Sequence, residues 1–299
     1  MTTTLLTSPA GQRNSQQLAT VAALITVVLW ASAFVAIRAA ADDYSPGALA
    51  FGRLAVGALG LGVIAMRYNR PRPRGKALGL IVAYGVAWFA GYTVVLNQAE
   101  HHLDAGTAAM LVNVAPILVA VFAGLLLDEG FPRTLIIGIS VAFVGVAIIT
   151  IGGPGNASVG SGIGIVLALL AAILYAAGAL LQKVTLRTVD AVTATFWGCL
   201  IGALVLVPFA PQFVAETAAA PPSALAVVVY LGVFPTAIAF STWAYALART
   251  NAGPMTATTL AVPAIAVVLS WIVLGELPTV VAMAGGVLCI LGVAITRRR

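Results

Sequence analysis

The chain has 299 residues, 61% of them hydrophobic and only 8% charged, with a formal net charge of +6. Soluble domains carry about a quarter of their residues as charges, so a water-facing coat for a core of this size is excluded and the solvent must be largely lipid. The apolar runs are long and do not alternate. That selects helices over a closed barrel, the two forms that satisfy their own backbone in hydrocarbon. The basic excess sits mostly in short connections between these runs, the pattern of membrane topology and not of a nucleic-acid face.

Residues 1–17 are rich in Ser, Thr and Gln and are expected to form a flexible tail. Apolar runs follow at 18–39, 46–66, 75–98, 104–127, 133–152, 162–183, 190–210, 222–246, 253–275 and 278–296. They predict an all-α integral membrane protein with ten transmembrane helices in one membrane domain. Arg38-Ala39-Ala40-Ala41 after the first run resembles a signal-peptidase site. The run is longer than the about 7–15 residues of a signal core, and it has a counterpart later in the chain, so it is kept as a helix. With the N-terminus inside, the cytoplasmic segments hold all of the 15 basic residues except Arg38 and Arg53. Asp42, Asp43, Glu100, Asp104, Glu216 and Glu276 fall outside. Both termini are therefore expected in the cytoplasm. Cys199 and Cys289 lie inside apolar runs and read as packing residues.

An internal repeat organises these runs. Leu29-Trp30-Ala31 through Arg38 pairs with Leu174-Tyr175-Ala176 through Lys183, and Gly57-Ala58-Leu59 pairs with Gly202-Ala203-Leu204. Val114-Ala115-Pro116 pairs with Ala261-Val262-Pro263, Glu129 with Glu276, and Gly138 and Gly145 with Gly285 and Gly292. The repeats are expected at 18–152 and 153–299, the second closing in a basic tail. Five helices is an odd number, so the two copies insert with opposite orientation, a plan recurrent in secondary transporters. Pro116 and Pro263 are expected to kink their helices. Glu129 and Glu276, beside Pro132 and Pro278, are expected to cap helix ends at the membrane surface.

This ten-helix duplication resembles the EamA branch of the drug/metabolite transporter superfamily. The likeness rests on Pro116, Asp128-Glu129, Gly138 and Gly145, repeated as Pro263, Leu274-Gly275-Glu276, Gly285 and Gly292, over about residues 18–296. It implies export of amino acids and related metabolites across a bacterial inner membrane, with aromatic amino-acid exporters among the similar proteins. Arg53 matches an arginine common in the family's first repeat, but its mate in the second is Gly198.

Polar and aromatic groups within apolar runs are the candidates for substrate binding. Asn113 beside Pro116 is placed to hydrogen-bond a substrate or a neighbouring helix. Tyr84, Trp88 and Tyr92 recur every four residues as one stripe, and Tyr230 and Phe234 repeat the first two of them. Trp30, Phe34 and Tyr175 add to an aromatic-lined cavity fit for an apolar or aromatic amino acid, with helix packing as the plainer role of each. Arg53 is expected to snorkel outward, to pair with Glu100 or Asp104, or to meet a substrate carboxylate. The ion pair leads, because an unpaired buried charge is too costly. Arg38 and Lys183 read as helix-end anchors, and Glu100-His101-His102-Leu103-Asp104 as a solvated outer turn.

No Asp or Glu lies deep in any run, so facilitative transport by rocking of the two repeats is expected over a proton relay. H-E-x-x-H, G-x-S-x-G and paired intramembrane carboxylates are all missing from the sequence, which argues against an enzyme. Export of drugs or other metabolites is the alternative, and a channel fits the mid-helix prolines less well. The expected partners are a small-molecule substrate and the lipid bilayer, with no nucleic acid, cofactor or metal. Oligomeric state has no signal in the sequence.

Overall fold

The computed structural model describes residues 9–67, 72–103, 108, 111–151, 162–274 and 279–296. Among them the chain is all-helical. The elements are α1 (Pro9–Ala40), α2 (Pro46–Arg67), α3 (Gly75–Glu100), α4 (Ala115–Leu126), α5 (Arg133–Ile151), α6 (Gly162–Thr185), α7 (Ala191–Val205), α8 (Ala210–Ala219), α9 (Pro222–Leu247), α10 (Ala252–Val273) and α11 (Val280–Thr296). Six of these, α1, α2, α3, α6, α9 and α10, are long and apolar enough to cross a membrane. The pair α7 and α8, bent by 52°, makes a seventh when taken as one span. The other three expected runs hold the shorter apolar helices Ala115–Leu126, Arg133–Ile148 and Met283–Thr296. Helix α1 starts at Pro9, inside the stretch expected as a tail.

Helix ends follow local chemistry. Proline opens α1, α2 and α9 at the first helical position, where its missing N–H costs nothing. Asp190 caps α7, accepting from the Thr193 backbone N–H at 3.2 Å and from the Thr193 hydroxyl at 2.7 Å. The bend after α7 comes from Pro208 and Pro211, neither of which can donate to the preceding turn. A single apolar run to residue 210 does not foresee that bend. Beyond it, Phe209 and Phe213 of α8 and its approach lie in the spaces left by Gly47 and Gly52 of α2.

Two long helices are irregular at repeat-related places. In α3 the hydrogen bonding turns π-helical over Gly85–Tyr92, and in α9 over Gly232–Ile238. Shifting Gly85 by the repeat spacing of 147 gives Gly232. Likewise α4 is preceded by a break at 113–114 and α10 turns to 3-10 helix over Thr258–Ala261. Each break stands just before the prolines expected to kink the chain, Pro116 and Pro263.

The tightest helix pair is α5 with α11. A Cβ added at Gly145 would sit 2.6 Å from both the Gly285 carbonyl oxygen and the Cys289 nitrogen. One at Gly138 would sit 2.6 Å from the Gly292 oxygen, and one at Gly292 equally close to the Gly138 oxygen. The low number of one helix meets the high number of the other, so they run antiparallel. The repeat shift converts one contact into the other, which places a local two-fold axis across the pair. Gly145→Val drives a side chain into backbone that cannot give way, and the expected cost is about 1–3 kcal/mol. Gly60, whose Cβ would meet nothing within 4 Å, supplies the control. Thermal unfolding in detergent should show a lowered midpoint for Gly145→Val and none for Gly60→Ala.

Candidate functional site

Helices α1, α3, α6 and α9 converge on a knot of aromatic rings. Trp88 stacks on Tyr175 with centroids 5.1 Å apart. Trp30 meets Trp243 at 5.0 Å and Phe240 at 5.2 Å, and Trp88 meets Phe240 edge-on at 5.2 Å. The seats for these rings are cut by glycine. A Cβ at Gly178 would lie 2.8 Å from Trp88 Cγ, and Gly202 and Gly198 open the same space for Phe89 and Tyr84. Larger residues on α6 and α7 would push α3 away and dissolve the knot.

Beside it lies a cavity of about 60 Å³, room for a few waters. Its lining includes the aromatic residues Trp30, Phe34, Trp88, Tyr175 and Phe240. Its polar lining residues are Arg53, Tyr92, Thr93, Asn113 and Thr259. Ile37 and Leu96, also in the lining, lie within a turn of the ends of α1 and α3. The cavity thus leans toward the end of the bundle that carries Glu100.

The break in α10 supplies Thr259 to this lining, and the break in α9 anchors Arg53 and Trp30, which border it. Pro235 lacks the N–H that would bond the Leu231 carbonyl; the Thr236 hydroxyl donates to it instead at 2.8 Å. Arg53 Nε donates in turn to Thr236 Oγ1 at 3.2 Å. The Pro235 carbonyl accepts from Trp30 Nε1 at 3.2 Å. Thr259 donates to the Thr256 carbonyl at 2.7 Å and sits 3.3 Å from the Tyr175 hydroxyl. Among the described residues no carboxylate oxygen comes within 4.0 Å of Arg53. The ion pair with Glu100 is not formed here, and Asp104 lies outside the described residues.

Of the aromatic residues expected at the site, Trp30, Phe34, Trp88, Tyr92 and Tyr175 are brought together with Asn113 and Arg53. Tyr84, Tyr230 and Phe234 are not. Tyr84 is fully buried against α7, its hydroxyl donating to the Ala194 carbonyl. Tyr84 stands one turn before Trp88 and packs against Gly198 of α7, while Trp88 packs against Gly178 of α6 and borders the cavity. Tyr230 bonds Ser32 at 2.6 Å and stacks on Phe234, which is 42% exposed on the outside of α9. Phe240, Thr93 and Thr259 were not singled out. Their one signal is position: Thr259 stands four residues before Pro263, where a broken ladder frees backbone groups.

The opposite end of the bundle is held shut by charges on helix ends. Glu129 accepts from the backbone N–H of Ala252 at 2.7 Å and of Gly253 at 3.1 Å, so it caps α10 and not the helix that follows it in sequence. Lys183 donates to the carbonyls of Leu247, at 2.8 Å, and Thr250, closing the C-terminus of α9. Both contacts are favoured by the helix dipoles. Glu276, the repeat mate of Glu129, lies outside the described residues. His102, in the turn after α3, lies 3.2 Å from Gln98, and no group of residues able to hold a metal occurs among the described residues.

Apolar helices long enough to cross a bilayer, broken beside a cavity with aromatic and polar lining residues, fit a membrane transport protein. The chain belongs to the EamA-like transporter family, whose model matches it twice, over residues 17–151 and 162–298. It is 36% identical over 278 residues to a probable terminal-alkyne amino-acid exporter of Streptantibioticus cattleyicolor, covering 93% of each chain. It is 34% identical to the uncharacterized transporter YdfC of Bacillus subtilis, over 91% of this chain and 88% of that one. A solved crystal structure shares the fold, with a TM-score of 0.74 at 19% identity, over 94% of this chain and 97% of the other.

The Thr236 hydroxyl joins Arg53 to the broken helix. Thr236→Val keeps the volume but leaves Arg53 Nε without its hydrogen-bond partner and takes one donor from the Leu231 carbonyl. An expected loss of about 1–3 kcal/mol should appear as a lower thermal midpoint in detergent.

Proposed function

We propose that this protein is an inner-membrane carrier exporting apolar or aromatic amino acids by alternating access around the cavity between α1, α3, α6 and α9. The observation that carries the reading is the cavity itself, lined by aromatic rings together with the Arg53 guanidinium, Asn113 and threonine hydroxyls. An amino acid offers both kinds of surface. The relative named as a probable terminal-alkyne amino-acid exporter supports the class of cargo, since a terminal alkyne is also apolar and rich in π electrons.

Ten transmembrane spans in two inverted five-helix repeats, with both termini in the cytoplasm, fit the distribution of basic residues. The antiparallel, two-fold contact of α5 and α11 supports the same plan. With that topology the end sealed by Glu129 and Lys183 faces the cytoplasm, and the cavity leans outward. Transport then requires the Glu129 cap to release while the opposite end closes. Trp30, Phe34, Trp88, Tyr92, Tyr175 and Asn113 contact the cargo in this reading. With no carboxylate deep in a helix, movement is facilitative and follows the substrate gradient.

The test is uptake into proteoliposomes of labelled phenylalanine, tryptophan, leucine, propargylglycine and glutamate, with and without a pH gradient. Saturable transport of the first four, indifferent to the gradient, is expected. Trp88→Ala and Tyr175→Ala should each lower it about tenfold, the factor that roughly 1.4 kcal/mol of lost contact produces. Transport of none of them, with movement of a cationic drug instead, would reassign the protein to drug or metabolite export. Unitary currents in a planar bilayer would make it a channel.

A further inference from the structure

The buried cation in the cavity wall has more hydrogen-bonding capacity than the protein uses. Arg53 is only 7% exposed. Its Nε is bound to Thr236, whose hydroxyl is itself fixed on the Leu231 carbonyl. These two bonds set the plane of the guanidinium. Its two terminal nitrogens, on the other edge of the fork, meet no protein group among the described residues, although the side chain lines the cavity.

The charged and titratable groups within range of Arg53 are Tyr92 and Glu100 on α3 and Cys199 on α7. Glu100 feels its charge but does not touch it, and Glu100 Oε1 is itself buried without a hydrogen-bond partner. The Arg53 guanidinium and the Glu100 carboxyl, at the end of α3, are thus held apart. A buried guanidinium left so is costly. The planar fork is complementary to a carboxylate, which takes two parallel N–H bonds from it.

We propose that Arg53 is a carboxylate subsite, taking the substrate's carboxylate on its two terminal nitrogens while the apolar side chain lies toward Trp88 and Tyr175. The proposal rests on the carrier reading for its cargo but concerns binding alone. It makes the carboxylate, and not the amine, the group required for recognition, so apolar monocarboxylates without an amine are ligands and the corresponding amines are not.

Binding to the purified full chain, read as protection against heat, tests this with phenylalanine, 3-phenylpropionate and phenethylamine. The two carboxylates should protect at concentrations at least tenfold lower than phenethylamine. Arg53→Gln should weaken the carboxylates at least tenfold and leave phenethylamine unchanged. Arg53→Lys, which keeps the charge but loses the fork, should fall between. Should Arg53→Gln fail to fold, Arg53→Lys and the unaltered protein decide alone. Equal protection by phenethylamine and 3-phenylpropionate in the unaltered protein overturns the proposal, as does Arg53→Lys binding carboxylates as tightly as the parent. Arg53-dependent carboxylate binding without amino-acid transport would count against the carrier reading and leave the subsite standing. Amino-acid transport indifferent to Arg53 would do the reverse.

Discussion

A backbone group released inside an apolar helix has no water to turn to, and an unmet one costs about 1–3 kcal/mol. Each irregularity in the bundle therefore has to bring its own partner. Pro235 releases the Leu231 carbonyl, and Thr236, the next residue, supplies the hydroxyl that meets it. The carbonyl of Pro235 draws in Trp30 from another helix. The 3-10 stretch before Pro263 is lined by threonines that bond back to Met255 and Thr256. The residues that repair these breaks are also, in Trp30, Thr259 and Arg53, the ones that form the cavity. Functional geometry and backbone repair are one set of contacts.

Packing around the breaks follows from a second consequence of lipid solvent. Helices in a bilayer gain little from hiding apolar surface and associate through close fit. Here the fit takes two forms. Between α5 and α11, glycine faces glycine and the backbones themselves touch. Around α3, a glycine on the neighbour faces a large ring. The first makes a seam without side chains to rearrange. The second fixes bulky rings at defined depths, which is how Trp88 comes to border the cavity while Phe89, one residue on, is fully buried against Phe240.

Much of the plan was legible in the sequence because it rests on repetition. Pro116 and Pro263 mark the breaks at α4 and α10, and Gly138, Gly145, Gly285 and Gly292 mark the closest pair. Residue type and position within the apolar runs put Trp30, Trp88, Tyr175 and Asn113 in one candidate site. The face of each helix was not legible. A four-residue spacing relates Tyr84 to Trp88 along α3 but does not say which of them is level with the cavity, and Trp88 and Tyr92 border it while Tyr84 does not. Tyr230 and Phe234 fail for a related reason, since an apolar helix has no polar side to show which face meets lipid. Glu129 was rightly read as a cap, but its helix lies 123 residues on in sequence, and only tertiary structure joins them.

The two cysteines carry a consequence for following the protein in motion. Cys199 is packed against the Leu54 carbonyl of α2, and Cys289 against the Ala142 carbonyl of α5; both are fully buried. The chain has no other thiol. Its two sulfurs are thus silent reporters placed at two different seams. A thiol reagent that finds Cys199 while Cys289 stays protected would show α2 parting from α7 with the α5–α11 seam as the fixed axis. Labelling in the opposite order would make the glycine seam the moving joint.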